Sequence, residues 1–135
     1  MFRPFGMEME MKMPRSVAST AEHTWVKREG YDRAVSSIKA AIGEDFDRSP
    51  LVVRDILWST AVQQGAGSAT KSPGGATRIF IDAVRRTNAT TNRNAPNYYE
   101  AIIRNIYHRR TIYWLSDRIR YQSEMLNALR RLGSH

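Results

Sequence analysis

The residues that invite chemistry in this chain sit inside one apolar run. Trp58, Ser59, Thr60 and Gln63 interrupt Leu51, Val52, Val53, Ile56, Leu57, Ala61 and Val62. Hydroxyl and amide groups in an apolar segment must be hydrogen-bonded once they are buried. They therefore either bond to neighbouring helices or line a cleft that offers donors and acceptors to a ligand. Gln64 extends the set by one amide.

Other chemistries are poorly provided for. His23, His108 and His135 are the three histidines, and no Gly-x-Ser-x-Gly elbow accompanies them, which argues against a Ser/His/Asp triad. There is no cysteine and no His-Glu-x-x-His, so no metal site is expected. Glu44, Asp45 and Asp47 cluster without the spacing of a calcium loop and read as a solvated acidic turn. Gly67, Lys71, Gly74 and Gly75 lie in one loop, but the phosphate-cradling Gly-Lys-Ser/Thr ending is missing. No cofactor is implied. A pair of carboxylates could cleave a glycoside, a reaction that needs one acid and one base at a set separation.

The elements that must position these groups read as helices. Ser49 and Pro50 mark the start of the central one, as cap and first residue, and Gly65 marks its end. Apolar residues on most of its faces suggest a helix packed on all sides. Before it come a short helix from Thr20 to about Arg28, broken by Gly30, and a second over Asp32–Ile42 ending at Gly43. After it come Ala76–Arg86, with Ile79, Phe80, Ala83 and Val84 inward, and Tyr98–Leu115. Ser116 then either caps a last helix carrying Ile119, Met125, Leu126, Leu129 and Leu132 and ending at Gly133, or marks a bend between two halves of one longer helical stretch. No segment alternates like a strand with a partner. The fold class is therefore all-α: one compact helical bundle over residues 20–133, preceded by a flexible arm over residues 1–19.

Twenty-one Lys and Arg against 13 Asp and Glu give a net charge of +8 over 135 residues. Such a chain favours anionic partners: nucleic acid, anionic lipid or an acidic cell-wall polymer. Arginines are dense from Arg85 onward, with tyrosines and a tryptophan among them. That mixture can pair phosphates and stack bases, or hold a glycan against aromatic faces and carboxylates against guanidinium groups. No run is apolar enough to span a bilayer, and no signal peptide is evident, so export would rest on a dedicated machine.

A family resemblance narrows these choices. Arg48-Ser49, the run Leu57-Trp58-Ser59-Thr60-Ala61-Val62-Gln63, and Gly65 resemble a motif of chitosanase-like, lysozyme-type cell-wall hydrolases. Those enzymes occur in phage tail proteins and in type VI secretion spike extensions or effectors. Further similar elements follow in order. They are Gly43 to Asp47, then Gly74-Gly75-Ala76 with Ile79-Phe80 and Ala83. Ile106-Tyr107 with Arg109 comes next, as an Ile-Tyr-x-x-Arg-like element one residue tighter, and then Arg120-Tyr121 with Glu124. The likeness runs from about His23 to Leu129 and is to the C-terminal half of such an enzyme. Gln64 stands where the family usually has His, and nothing between Met1 and Thr20 matches the upstream half with its acidic residue.

The resemblance implies a peptidoglycan-binding and cleaving module, a glycoside hydrolase fragment whose catalytic acid lies outside this chain. It implies a bacterial or phage protein carried to the periplasm or cell wall, and a partner in the secretion machine or an upstream-half protein. Its implied substrate cleft comprises Trp58, Ser59, Thr60, Gln63, Gln64, Arg48, Tyr107, Arg109, Arg120, Tyr121 and Glu124. A basic helical nucleic-acid-binding protein and a non-catalytic interaction module are the alternatives.

Overall fold

The computed structural model describes residues 27–71 and 74–134, and every regular element among them is helical. The arm over residues 1–19 and most of the helix expected from Thr20 lie outside the described residues. The chain enters as one π-helical turn, Lys27–Tyr31, that runs straight into α1, Asp32–Ile42. Gly30 is thus part of a helical turn continuous with α1. In α1, Ala34 and Ile38 are buried four apart, with Val35 and Ile42 packed beside them, the stripe of an amphipathic helix. Gly43 ends it in the left-handed conformation (φ 77°), and its N–H donates to the Lys39 carbonyl at 2.8 Å.

A 3₁₀ turn, Phe46–Arg48, leads to α2, Leu51–Gln64. Phe46 is buried edge-on to Phe80, with ring centroids 5.0 Å apart. The turn changes how α2 begins. The Ser49 hydroxyl donates to the Phe46 carbonyl at 2.6 Å, so it closes the turn and does not cap the helix. Pro50 takes the cap position, its carbonyl accepting the N–H groups of Val53 and Arg54. In α2 itself Val52, Val53, Ile56, Leu57, Thr60 and Ala61 are buried, whereas Leu51 and Val62 are about half exposed, at 53% and 50%.

The helix packed on most sides is instead α3, Gly75–Thr90, which touches α1, α2 and α4. It is longer than the sequence suggests and buries Ile79, Phe80, Ile81, Ala83 and Val84. Its start is stitched to the end of α2. The Gly65 carbonyl accepts the Ala76 N–H at 2.9 Å, and the Ala66 carbonyl accepts the Thr77 N–H at 2.8 Å. The Gly74 carbonyl takes the N–H groups of Ser68 and Arg78. These backbones touch because side chains are missing: a Cβ on Gly67 (φ 72°) would lie 1.6 Å from the Gly74 oxygen. The N–H groups of Ala76 and Thr77, donors a phosphate would need, are therefore already occupied.

The fourth helix, α4, covers Tyr98–Tyr113 and buries Tyr98, Ile102, Ile103, Ile106, Tyr107 and Arg110. It stops before Leu115, because Trp114 turns out of the helix into a second 3₁₀ turn, Leu115–Asp117. Ser116 lies inside that turn and caps nothing. The last helix, α5, runs over Arg118–Gly133. It buries Tyr121 and Ala128 and rests Met125, Leu129 and Leu132 on the core. Ile119 and Leu126 face out at 76% and 46% exposure. The fold is all-α, and no helix of the described residues is long and apolar enough to cross a membrane.

Candidate functional site: a polar cluster around a buried arginine

Six of the eleven candidate residues converge where the last turn of α2 meets α4 and α5. Gln63 and Gln64 come from α2, Tyr107 from α4, and Arg120, Tyr121 and Glu124 from α5. At their centre is a residue outside the expected set, Arg110, with no solvent exposure. Tyr107 and Arg110 are three apart on α4 and so share a face. The Arg110 guanidinium carbon lies 5.1 Å from the centroid of the Tyr107 ring and 4.5 Å from that of Tyr121, a cation–π contact with both.

The hydrogen bonds focus on one atom. The Gln63 amide oxygen accepts from Arg110 Nη2, from the Tyr121 hydroxyl at 3.2 Å and from Gln64 Nε2 at 3.1 Å. Gln64 Nε2 also reaches the Tyr121 hydroxyl at 3.2 Å. On the far edge of the ring pair the Tyr107 hydroxyl donates to Glu124 at 3.4 Å, and Arg120 pairs with Glu124 at 3.5 Å. The Tyr107 hydroxyl pKa is pushed up to about 12, first by burial and then by the charge and hydrogen bond of Glu124, against the pull of Arg110. Arg120 and Glu124 are exposed enough (47% and 36%) to act as a surface pair and not a buried brace. Pairs of this kind contribute under about 1 kcal/mol.

The other five candidates lie elsewhere. Arg48 is exposed on the turn before α2, and the rise of a helix puts it roughly 20 Å from Gln63. Trp58 is only partly buried, stacked at a tilt on Tyr31 with centroids 5.3 Å apart, on a different face of α2 from the two glutamines. It is not at the centre of the bundle. The Thr60 hydroxyl is consumed by the Ile56 carbonyl at 2.7 Å. Ser59 is half-buried one turn before Gln63. Arg109 faces α3, where it donates to Asp82 at 2.9 Å beside Arg78 and Tyr113.

The signal for Arg110 was available. Ile106-Tyr107-His108-Arg109-Arg110 fits Ile-Tyr-x-x-Arg at Arg110 with no adjustment, whereas Arg109 needs a tighter spacing. The acidic turn is engaged internally as well. Glu44 pairs with Arg93, Asp45 holds Lys39 and the Asp47 N–H, and Asp47 accepts from Tyr31 at 2.8 Å. Four of the interleaved arginines make aromatic contacts within the chain, with Arg93 on Tyr98 and Arg120 on Tyr121 joining Arg109 and Arg110 above.

Comparison with known proteins gives one family. The model for the type VI secretion system spike protein VgrG3-like, C-terminal, matches residues 10–114. That stretch includes Gln63, Gln64, Tyr107 and Arg110 and stops short of α5. No curated protein and no solved structure matches.

Proposed function

This chain belongs to the VgrG3-like C-terminal family of type VI secretion system spike proteins, and from that premise we propose that it is a wall-glycan-binding module. A secretion-machine component, it would be carried by that machine to the peptidoglycan of a target cell. The observation that carries this reading is the convergence of Gln63, Gln64, Tyr107, Arg120, Tyr121 and Glu124. These residues come from three helices and from separate motifs that resemble wall hydrolases, and hydrogen bonds join positions 57 and 58 residues apart. Amides, hydroxyls and charged groups fixed by such a network suit the hydroxyl and acetamido groups of a sugar chain. The net charge of +8 favours an anionic wall.

Binding is the proposed role, with little cleavage by this chain alone. A glycosidase acid needs an apolar pocket that keeps it protonated. Glu124, the carboxylate at the cluster, has Arg120 as its neighbour, and Asp45 has Lys39. Nucleic-acid binding is the second reading; the ring faces of Tyr98, Tyr107 and Tyr121, which base stacking would need, are buried, whereas the glycan reading rests on the polar atoms of the cluster and not on its ring faces. Co-sedimentation with purified sacculi tests the proposal, with mass spectrometry of the supernatant. The chain is expected in the pellet with few or no released glycan fragments. A chain that stays in solution contradicts binding. Strong fragment release, abolished by Glu124→Gln or Asp45→Asn, contradicts the division between binding and cleavage.

A further inference from the structure

The Gln63 amide oxygen collects more donors than a neutral amide suits. It faces Arg110 Nη2, the Tyr121 hydroxyl and Gln64 Nε2, three donors of which one is charged. An amide oxygen has two lone pairs, while a carboxylate offers two oxygens and about four acceptor sites. Arg110 also keeps Nε and Nη1, both buried, without a partner among the described residues. A guanidinium removed from water ordinarily has a counter-charge. The carboxylate of the cluster, Glu124, is engaged by Arg120 and the Tyr107 hydroxyl instead. The residue that supplies the lone acceptor, Gln63, is itself solvent-exposed.

We propose that Gln63 holds the place of a ligand carboxylate, and that Arg110, Tyr121 and Gln64 form a carboxylate-binding site uncovered when Gln63 turns outward. Arg110 supplies the charge and a planar fork, which suits a two-oxygen acceptor. The two tyrosine rings hold the guanidinium in orientation. The Tyr121 hydroxyl and Gln64 Nε2 fix the position of the nearer oxygen. Cell-wall polymer, the ligand under the wall-binding reading on which this rests, carries carboxylates of two kinds: those of its peptides, and the lactyl group of muramic acid wherever no peptide is attached to it.

A substitution that needs no ligand tests the site first. Gln63→Glu places a carboxylate on the donors from within the chain. Its melting temperature is expected to rise above the wild type, and above that of Gln122→Glu, an exposed residue of α5 that controls for added negative charge. A Gln63→Glu protein that melts at or below the Gln122→Glu control overturns the proposal. Calorimetric titration of the full chain then compares N-acetylmuramic acid, N-acetyl-D-alanyl-D-alanine and the carboxylate-free N-acetylglucosamine. At least one of the two carboxylates is expected to bind about tenfold tighter than N-acetylglucosamine, the equivalent of one charge-assisted hydrogen bond. Which of them binds identifies the source. Gln63→Ala is expected to tighten that binding and Gln63→Glu to abolish it. Equal binding of all three compounds, or a Kd unmoved by both substitutions, overturns the site. Sacculus binding alongside such a result would leave the wall-binding reading intact. A carboxylate preference without sacculus binding would do the reverse.

Discussion

Arg109 and Arg110 are neighbours on α4 and meet opposite environments. Arg109 turns toward α3, where Asp82 accepts from it at 2.9 Å and from Arg78 at 3.2 Å, with the Tyr113 ring alongside. Arg110 turns toward α2 and α5, where two tyrosine rings enclose it and its acceptor is the neutral amide of Gln63. The first arrangement is an ordinary structural solution, a carboxylate shared by two partly exposed arginines, although Arg109 Nε is also left without a partner among the described residues. The second buries a charge completely and closes it with a group that carries none. Stability alone does not favour that choice, since burying an arginine costs more than a surface site and an amide returns less than a carboxylate. The difference separates a brace from a site that has a use for the charge.

The comparison breaks most visibly at the tyrosines. Tyr121 is 1% exposed and Tyr113 is half-buried. Tyr121→Ala is expected to destabilise by about 3–5 kcal/mol, the cost of a fully buried aromatic, while Tyr113→Ala costs less than about half of that. Equal losses in chemical denaturation would mean that the two arginine environments are packed alike.

A smaller effect is expected at the carboxylate. Asp82→Asn keeps the volume and gives Arg109 a neutral acceptor like that of Arg110. It should cost about 1–2 kcal/mol, reduced from the value for a fully buried pair because both arginines reach solvent. An unchanged unfolding midpoint would show that the counter-charge matters little on that side.

The mildest effect appears only in alkali. The Tyr107 hydroxyl has a folded pKa of about 12 against an ordinary value of 10.0, so the fold favours its neutral form. Above pH 10 the unfolded chain loses this proton first. The contribution is therefore fully present below pH 10 and is lost as the pH rises toward 12. The urea midpoint should fall across that window, and Tyr107→Phe should flatten the fall. Some slope should remain, since burial also raises the hydroxyls of Tyr31 and Tyr98. An identical pH profile for Tyr107→Phe would remove Tyr107 as a contributor.

Helix identity was legible from apolar spacing and glycines, and least so where two like residues stand side by side. Asp32–Ile42 ends at Gly43 as the sequence indicates, and Ile79, Phe80, Ala83 and Val84 face inward as spaced. Arg109 and Arg110 differ by one helical step of about 100°, and nothing in their own chemistry says which is buried. The apolar periodicity around Ile106 admits either. Ser49 reads as a cap until an intervening 3₁₀ turn gives its hydroxyl a nearer carbonyl. Ile119 and Leu126 are apolar yet exposed, because α5 presses only one narrow face on the bundle, where Tyr121, Met125, Ala128, Leu129 and Leu132 pack. The glutamines were legible as polar groups in an apolar helix. Their partners were not, since no local pattern encodes a contact 58 residues away.

The glycine seam between α2 and α3 has a bearing on the order of assembly. Gly65 and Ala76, whose backbones bond, are 11 residues apart, whereas Gln63 and Tyr121 are separated by 58. Loop-closure entropy grows with the logarithm of length, so the longer contact costs about 1.4 kcal/mol more to close. The hairpin of α2 and α3 can therefore form from local contacts, and the polar cluster is completed only when α5 docks. One side of the cluster is then built early and held by backbone, while the other arrives last on a helix with a single buried face. Docking of α5 thus becomes the step that decides whether the arginine is enclosed at all.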